Sequence, residues 1–188
     1  DLTPLEAEVS CEMEVSMPTF LLGFKCPPMS GGQEQMRRTL IGELACDVLL
    51  GDSSPLYARL YSQGLINGTF GYSFDTLPGV AYAYIGGDSK DPHAVAEEVL
   101  QEARRLVRDG IDPDYYARIV RANYGSTLKS LNSFESIAIS LVEGQFDGYD
   151  PLLFPEMFDS ITPQDLLAFI RENLCREHMA LSVVYPKE

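Results

Sequence analysis

The chain has 188 residues, 45% hydrophobic and 22% charged, the balance of one soluble globular unit able to bury a substantial core. Twenty-eight acidic residues against 14 basic ones give a formal net charge of −14, and no stretch concentrates Lys or Arg enough to neutralise a phosphate backbone. The longest apolar runs, Thr19 to Phe24 and Met179 to Tyr185, fall well short of the ~20 residues of a membrane-spanning helix. Nucleic acid and membrane are therefore not expected partners.

Glu6 to Val15 alternates loosely, and after Pro18 the run Thr19 to Lys25 gives a second, adjacent strand candidate, with the proline arguing for an edge or a bulge. Beyond the loop Pro27 to Gly32, apolar residues at Met36, Leu40, Leu44 and Val48, joined by Ile41, Ala45 and Leu49, mark a helix that ends at Gly51. Ser53 to Gly64 reads as a shorter helix with Leu56, Tyr57 and Leu60 on one side. The period then changes to two at Phe70, Tyr72 and Phe74. With a turn at Leu77-Pro78-Gly79 and a returning run Val80 to Ile85, this predicts an antiparallel hairpin.

Three later helices announce their first residues by a capping side chain followed by proline: Asp91-Pro92, Asp112-Pro113 and Thr162-Pro163. The second runs towards Leu131, and a further helix is predicted over Phe134 to Phe146, before Gly148, Asp150 and Pro151 interrupt it. Met179 to Tyr185 is a final strand, stopped by Pro186. This order predicts an α+β fold, an antiparallel sheet with helices packed on one face. Its expected core includes Leu40, Leu44, Val48, Phe74, Tyr82, Val99, Ile119, Leu141 and Val183.

The chemistry legible in these residues is sparse. Only two histidines occur, His93 in a helix's first turn and His178 before the last strand, so the paired spacing of a helical zinc site is missing. Cys11, Cys26, Cys46 and Cys175 form no C-x-x-C pair and are expected as reduced, mostly buried thiols of a cytoplasmic protein. Glu97 and Glu98, flanked by Glu102, Arg104 and Arg105, read as a solvated helix face; Asp112 and Asp114 bracket a helix start, where acids favour the dipole. No nucleophile elbow, phosphate loop or dinucleotide fingerprint is present. Asp1 to Pro4 reads as the tail of a linker, so residues 1–188 are expected to be one domain of a longer chain.

One region carries more. Pro18-Thr19-Phe20-Leu21-Leu22-Gly23-Phe24-Lys25, the long helix, then Ser54-Pro55-Leu56-Tyr57-Ala58-Arg59-Leu60-Tyr61-Ser62-Gln63-Gly64-Leu65-Ile66 and the aromatic hairpin together resemble the C-terminal half of insulinase/pitrilysin-type zinc peptidases. That family includes the mitochondrial processing peptidase, and the resemblance is nearest to its bacterial processing-protease branch. It implies two similar α/β halves that close around a peptide, the first holding an H-x-x-E-H zinc site and this chain being the second, non-catalytic one. No metal or cofactor is then expected in this chain, and zinc is expected in the N-terminal half of the parent. The implied partners are a peptide substrate, that N-terminal half, and a related subunit or a second copy. Many members place an arginine after the helix leucine and a tyrosine close after the G-L pair, both taken to face the zinc; here those positions are Tyr61 and Asn67. They are the candidate substrate-binding residues, and neither supplies an arginine's positive charge. The rival reading is a catalytically dead assembly scaffold of the same fold, and a third is an unrelated small-molecule-binding domain with a deep pocket of its own.

Overall fold

A computed structural model describes residues 1–29, 31–77 and 79–187. Among the described residues there are five strands: β1 (Glu8–Met13), β2 (Thr19–Cys26), β3 (Gly71–Leu77), β4 (Val80–Asp88) and β5 (Met179–Pro186). With them come seven helices: α1 (Gly32–Leu50), α2 (Pro55–Ser62), α3 (Pro92–Asp109), α4 (Pro113–Ser130), α5 (Phe134–Asp147), α6 (Phe154–Ser160) and α7 (Pro163–Asn173). The strands form one sheet in the order β1-β5-β2-β4-β3, antiparallel throughout except that β1 runs parallel to β5. The α+β expectation holds. The turn predicted at Leu77-Pro78-Gly79 contains Pro78, which lies outside the described residues, as does Ser30 of the loop before α1.

The period of two decides which sheet face is buried. Phe20, Leu22, Phe24 and Cys26 of β2 point to the same side as Ala81, Ala83 and Ile85 of β4 and as Met179, Leu181 and Val183 of β5, and all ten are buried. In register, Leu181, Leu22 and Ile85 form one row across the three central strands, and Met179, Phe24 and Ala83 another. Against this face pack α1, through Ile41, Leu44, Ala45 and Val48, together with α3 and α7. The alanines of β4 leave room for the helices. For the same reason Tyr82, expected in the core, faces the other way with Tyr84, on a side that no helix covers among the described residues. The expectation for Leu141 is also overturned: it is 43% exposed on α5. Leu40 is partly buried, and the remaining expected core residues are buried.

The helix starts follow their side chains. Asp91 accepts from the Ala94 amide at 3.0 Å and Asp112 from the Tyr115 amide at 2.8 Å, while Thr162 and Asp165 form a reciprocal capping box. Two features depart from the sequence reading. β1 and β2, consecutive in sequence, are not paired, because β5 lies between them; β2 is therefore an inner strand, and Pro18 sits just outside its ladder with its carbonyl accepting from the Ser89 amide at 2.9 Å. Glu102, read as part of a solvated face, is 3% exposed. Arg59 of α2 reaches it at 3.2 Å and Arg105 at 2.6 Å. Burial alone would raise the pKa of Glu102, but the hydrogen bonds and charges of Arg105 and Arg59 outweigh it and hold the carboxyl below its ordinary value.

Candidate functional site

Tyr61 and Asn67 flank the turn that joins α2 to the strand pair β3–β4, and the residues around them explain why the motif has its spacing. Ser54 caps α2, accepting from the Tyr57 amide at 3.0 Å, and Pro55 sets the first helical residue. Leu56 and Leu60, one turn apart, are fully buried and clamp the helix to the core. Gly64, at φ +65°, takes the left-handed position that ends the helix, with the Leu65 amide donating to the Leu60 carbonyl and the Gly64 amide to the Tyr61 carbonyl, both at 3.0 Å. This is a Schellman ending, in which glycine carries the backbone where a side chain would be strained. The pattern thus builds a rigid exit from α2.

With Leu60 turned inward, Tyr61 turns outward and is 56% exposed. Its ring stacks on Tyr57 with centroids 5.9 Å apart, and Tyr57 meets Phe70 edge-on at 5.8 Å. Asn67 has a different task. Its carbonyl oxygen accepts from the Thr69 amide at 2.8 Å and from the Thr69 hydroxyl at 2.6 Å, closing an Asx turn. The same Thr69 oxygen accepts from the Asp88 amide, and Asp88 in turn accepts from the Thr19 hydroxyl, both at 2.8 Å. The loop presses so closely on β4 that a Cβ on Gly87 would stand 3.0 Å from the Phe70 Cα. The Asn67 side-chain oxygen is thereby engaged within its own loop, while its Nδ2 meets only the Met17 sulfur, at 4.0 Å. The cation on this turn is one that sequence reasoning did not single out: the Lys90 ammonium lies 4.0 Å from where a Cβ on Gly64 would be.

The uncovered sheet face lies beside these strands. Leu21, Gly23, Lys25, Asp75, Tyr82, Tyr84 and Ala180 line an open depression of about 400 Å³, and the missing side chain of Gly23 deepens its floor. It is apolar with one charge of each sign at its margin.

A second concavity of about 550 Å³ opens between α1, the end of α4, α5 and the segment 149–158. Glu43 stands in its wall, its side chain exposed to the cleft and its base set on α1 one helical turn before Asp47. Desolvation, with the charges of Asp47 and Asp75 adding to it, raises its pKa from 4.5 to about 7. Asp47 itself is held by the Tyr72 hydroxyl at 2.8 Å and the Asn123 amide at 2.6 Å, tying α1 to β3 and α4. Because the folded state holds the Glu43 proton more tightly than the unfolded chain does, ionising it costs stability as pH rises from about 4.5 to 7. Glu43→Gln removes that loss. The variant is expected to match the parent at pH 4.5 and to exceed it at pH 8 by about 0.5–1 kcal/mol, a small figure because cleft water screens the charge. Urea unfolding at the two pH values measures it, and a variant no more stable at pH 8 would show that the carboxyl ionises without strain.

The profile of the peptidase M16 inactive domain matches residues 3–123. An uncharacterised zinc protease of Bacillus subtilis, YmfH, is 32% identical over 96% of this chain, which spans 42% of that relative's length. An M16-like peptidase from Alicyclobacillus acidocaldarius superposes on all of the chain, over 45% of its own, at a TM-score of 0.92 and 22% identity. The inactive peptidase domain of a zinc protease from Bordetella parapertussis matches 95% of this chain and 95% of its own at a TM-score of 0.76 and 15% identity. The chain thus spans less than half the length of the first two relatives. With a profile match over well more than half its residues, this chain belongs to the peptidase M16 inactive-domain family.

Proposed function

We propose that residues 1–188 form the non-catalytic half of a cytoplasmic bacterial zinc metalloendopeptidase of the processing-protease branch, walling one side of the chamber in which a peptide is held. The observation that carries this reading is the asymmetry of the sheet. One face is sealed by α1, α3 and α7, while the other is left open, with an aromatic and aliphatic depression a few residues wide and main-chain groups close by. Such a surface suits an extended peptide of varied sequence, because it offers apolar contact without a deep pocket to select one side chain.

In this reading zinc is held outside this chain. No group of three or more His, Cys, Asp or Glu side chains comes together among the described residues, and His93 and His178 belong to separate elements. The metal and the acid–base chemistry belong to the N-terminal half in this reading. This chain contributes the opposing surface, and a related subunit or a second copy completes the assembly.

Tyr61 and Asn67 separate a passive wall from a contributor to catalysis. Both can donate a hydrogen bond, Tyr61 through its exposed hydroxyl and Asn67 through Nδ2, but neither brings an arginine's positive charge to a developing oxyanion, and in this reading neither contributes to the chemical step. In the full-length protein, Tyr61→Phe and Asn67→Asp, which keeps the acceptor for Thr69, are expected to leave kcat within about twofold. Loss of a true oxyanion donor costs ~100 to 1000-fold. Steady-state cleavage of a peptide library, with folding checked by thermal melting, reads the outcome. A fall of that size in either variant with folding intact overturns the passive-wall assignment. A full-length protein that folds and assembles yet cleaves no peptide favours the scaffold reading.

A further inference from the structure

We propose that the cleft between α1 and α5 is a docking site for a basic amphipathic segment of another polypeptide. It lies at the far end of β3 from Asn67, beside Thr76 and Leu77, on the order of 20 Å away along a seven-residue strand. The inference therefore does not depend on the chamber-wall reading.

The cleft's shape and its charge both point to this occupant. Met36 and Leu40 of α1, Leu131 after α4, Ile137 and Leu141 of α5 and Phe158 of α6 supply an apolar lining. Glu43, Glu143 and Asp147 also line the cleft, and among the described residues that line it none is Lys, Arg or His. The three carboxylates line the same cleft as Tyr149, whose hydroxyl is pushed up in pKa by burial first and then by the charges of Asp147, Glu143 and Glu43. They nevertheless do not converge as metal ligands do, since no three such groups come together among the described residues. Carboxylates spread around an apolar floor match several cationic side chains carried on an apolar body rather than one compact ion. About 550 Å³ is ample for a few such side chains and too little for a folded domain.

α5 adds a second reason to expect a polypeptide. Only Gly144 of its fourteen residues is buried, at the point where a Cβ would stand 2.6 Å from the Tyr149 carbonyl oxygen. Its cleft side carries Ile137 and Leu141. Its outer side carries Ile139, Val142 and Phe146, the last 85% exposed. A helix apolar on both sides, left in water on a protein of net charge −14, is suited to being covered by a partner that also brings positive charge.

The probe is a fluorescein-labelled 14-residue peptide of Leu and Lys at helical spacing, with a Leu/Glu peptide of the same pattern as comparison. Fluorescence anisotropy is followed at 150 mM salt with the 188-residue chain. Saturable one-site binding of the Leu/Lys peptide alone is expected. The double variant Glu43→Gln/Glu143→Gln is expected to weaken it about tenfold, as two partly screened charge contacts would. Leu141→Ser is expected to weaken it severalfold by removing floor contact. Glu6→Gln/Glu12→Gln, two carboxylates near the opposite edge of the sheet, serves as the control for general attraction to an acidic protein, and a change below about twofold is expected. Equal losses in the two double variants, an unchanged affinity in Leu141→Ser, or no saturable binding would each overturn the proposal. Circular dichroism melts confirm that every variant is folded.

Discussion

Replacing Leu44 with alanine is expected to lower the free energy of unfolding by about 2–5 kcal/mol. Leu44 is fully buried in the middle of α1, on the face pressed against the sheet, so truncation both removes apolar contact and leaves a cavity that rigid neighbours fill only in part. For a chain of this size each kcal/mol corresponds to ~2–4 °C in Tm, so a fall of roughly 5–15 °C is expected in thermal unfolding followed by circular dichroism. Leu141→Ala is the matched comparison. Its side chain stands in the open cleft, and a change within ~0.5 kcal/mol is expected. If the two variants lost the same stability, the assignment of α1 to the core and of α5 to an open surface would be wrong.

Gly42→Val is expected to destabilise by overfilling rather than by leaving a void. An ideal Cβ on Gly42 would lie 2.4 Å from Cδ1 and from Cε1 of Phe74. The Phe74 ring is buried and backed edge-on by Phe169, with centroids 5.2 Å apart and planes at 87°, so it has no free direction in which to withdraw. Overpacking of this kind costs about 1–3 kcal/mol, and the slight gain in helix propensity on replacing glycine offsets only a small part of it. Phe74→Leu in the same chain makes room for the new methyl groups. The double variant is therefore expected to lose less than the sum of the two single ones when all three are unfolded in urea. Strict additivity would show that α1 and β3 do not approach as closely as Gly42 and Phe74 place them.

These contacts also show where the sequence was readable. α1, the hairpin and the capped starts of α3, α4 and α7 each depend on residues a few positions apart, so periodicity and Asp-Pro or Thr-Pro pairs locate them directly. The frame of the candidate site was legible for the same reason, since Ser54, Leu56, Leu60 and Gly64 act on one another within a single short helix and its exit. Long-range choices left no local mark. Tyr82 and its neighbours Ala81 and Ala83 alternate equally well in either phase, and only the helices packed on the sheet decide that the alanines face inward. Glu102 resembles any exposed helix acid until Arg59 arrives from α2. Leu141 sits in an apolar helix whose sequence says core, but no other element covers it. α6 lay beyond the interruption read at Gly148, Asp150 and Pro151, although Pro151 opens a short 3-10 turn and Pro155 falls in the first turn of α6 itself. The role of Asn67 depends on where Thr69 and Asp88 lie, and the resemblance that singled out position 67 carries no such information.

The strand order has a consequence for how a nascent chain reaches this structure. β2, β3 and β4 pair with one another, and α1 and α3 can cover them as soon as residues up to 109 have left the ribosome. β1, although it precedes the other four strands in this domain, has no ladder to join there: its partner β5 begins at Met179, and Glu8 pairs across to Leu181. Throughout the synthesis of α4 to α7, one side of β2 therefore presents free amides and carbonyls and β1 trails unpaired, the kind of open edge that invites association with other chains. Closure of the sheet waits for a strand that inserts between two earlier ones and satisfies both in a single step. The period between the first strand and the last is thus when a holding chaperone has most to protect.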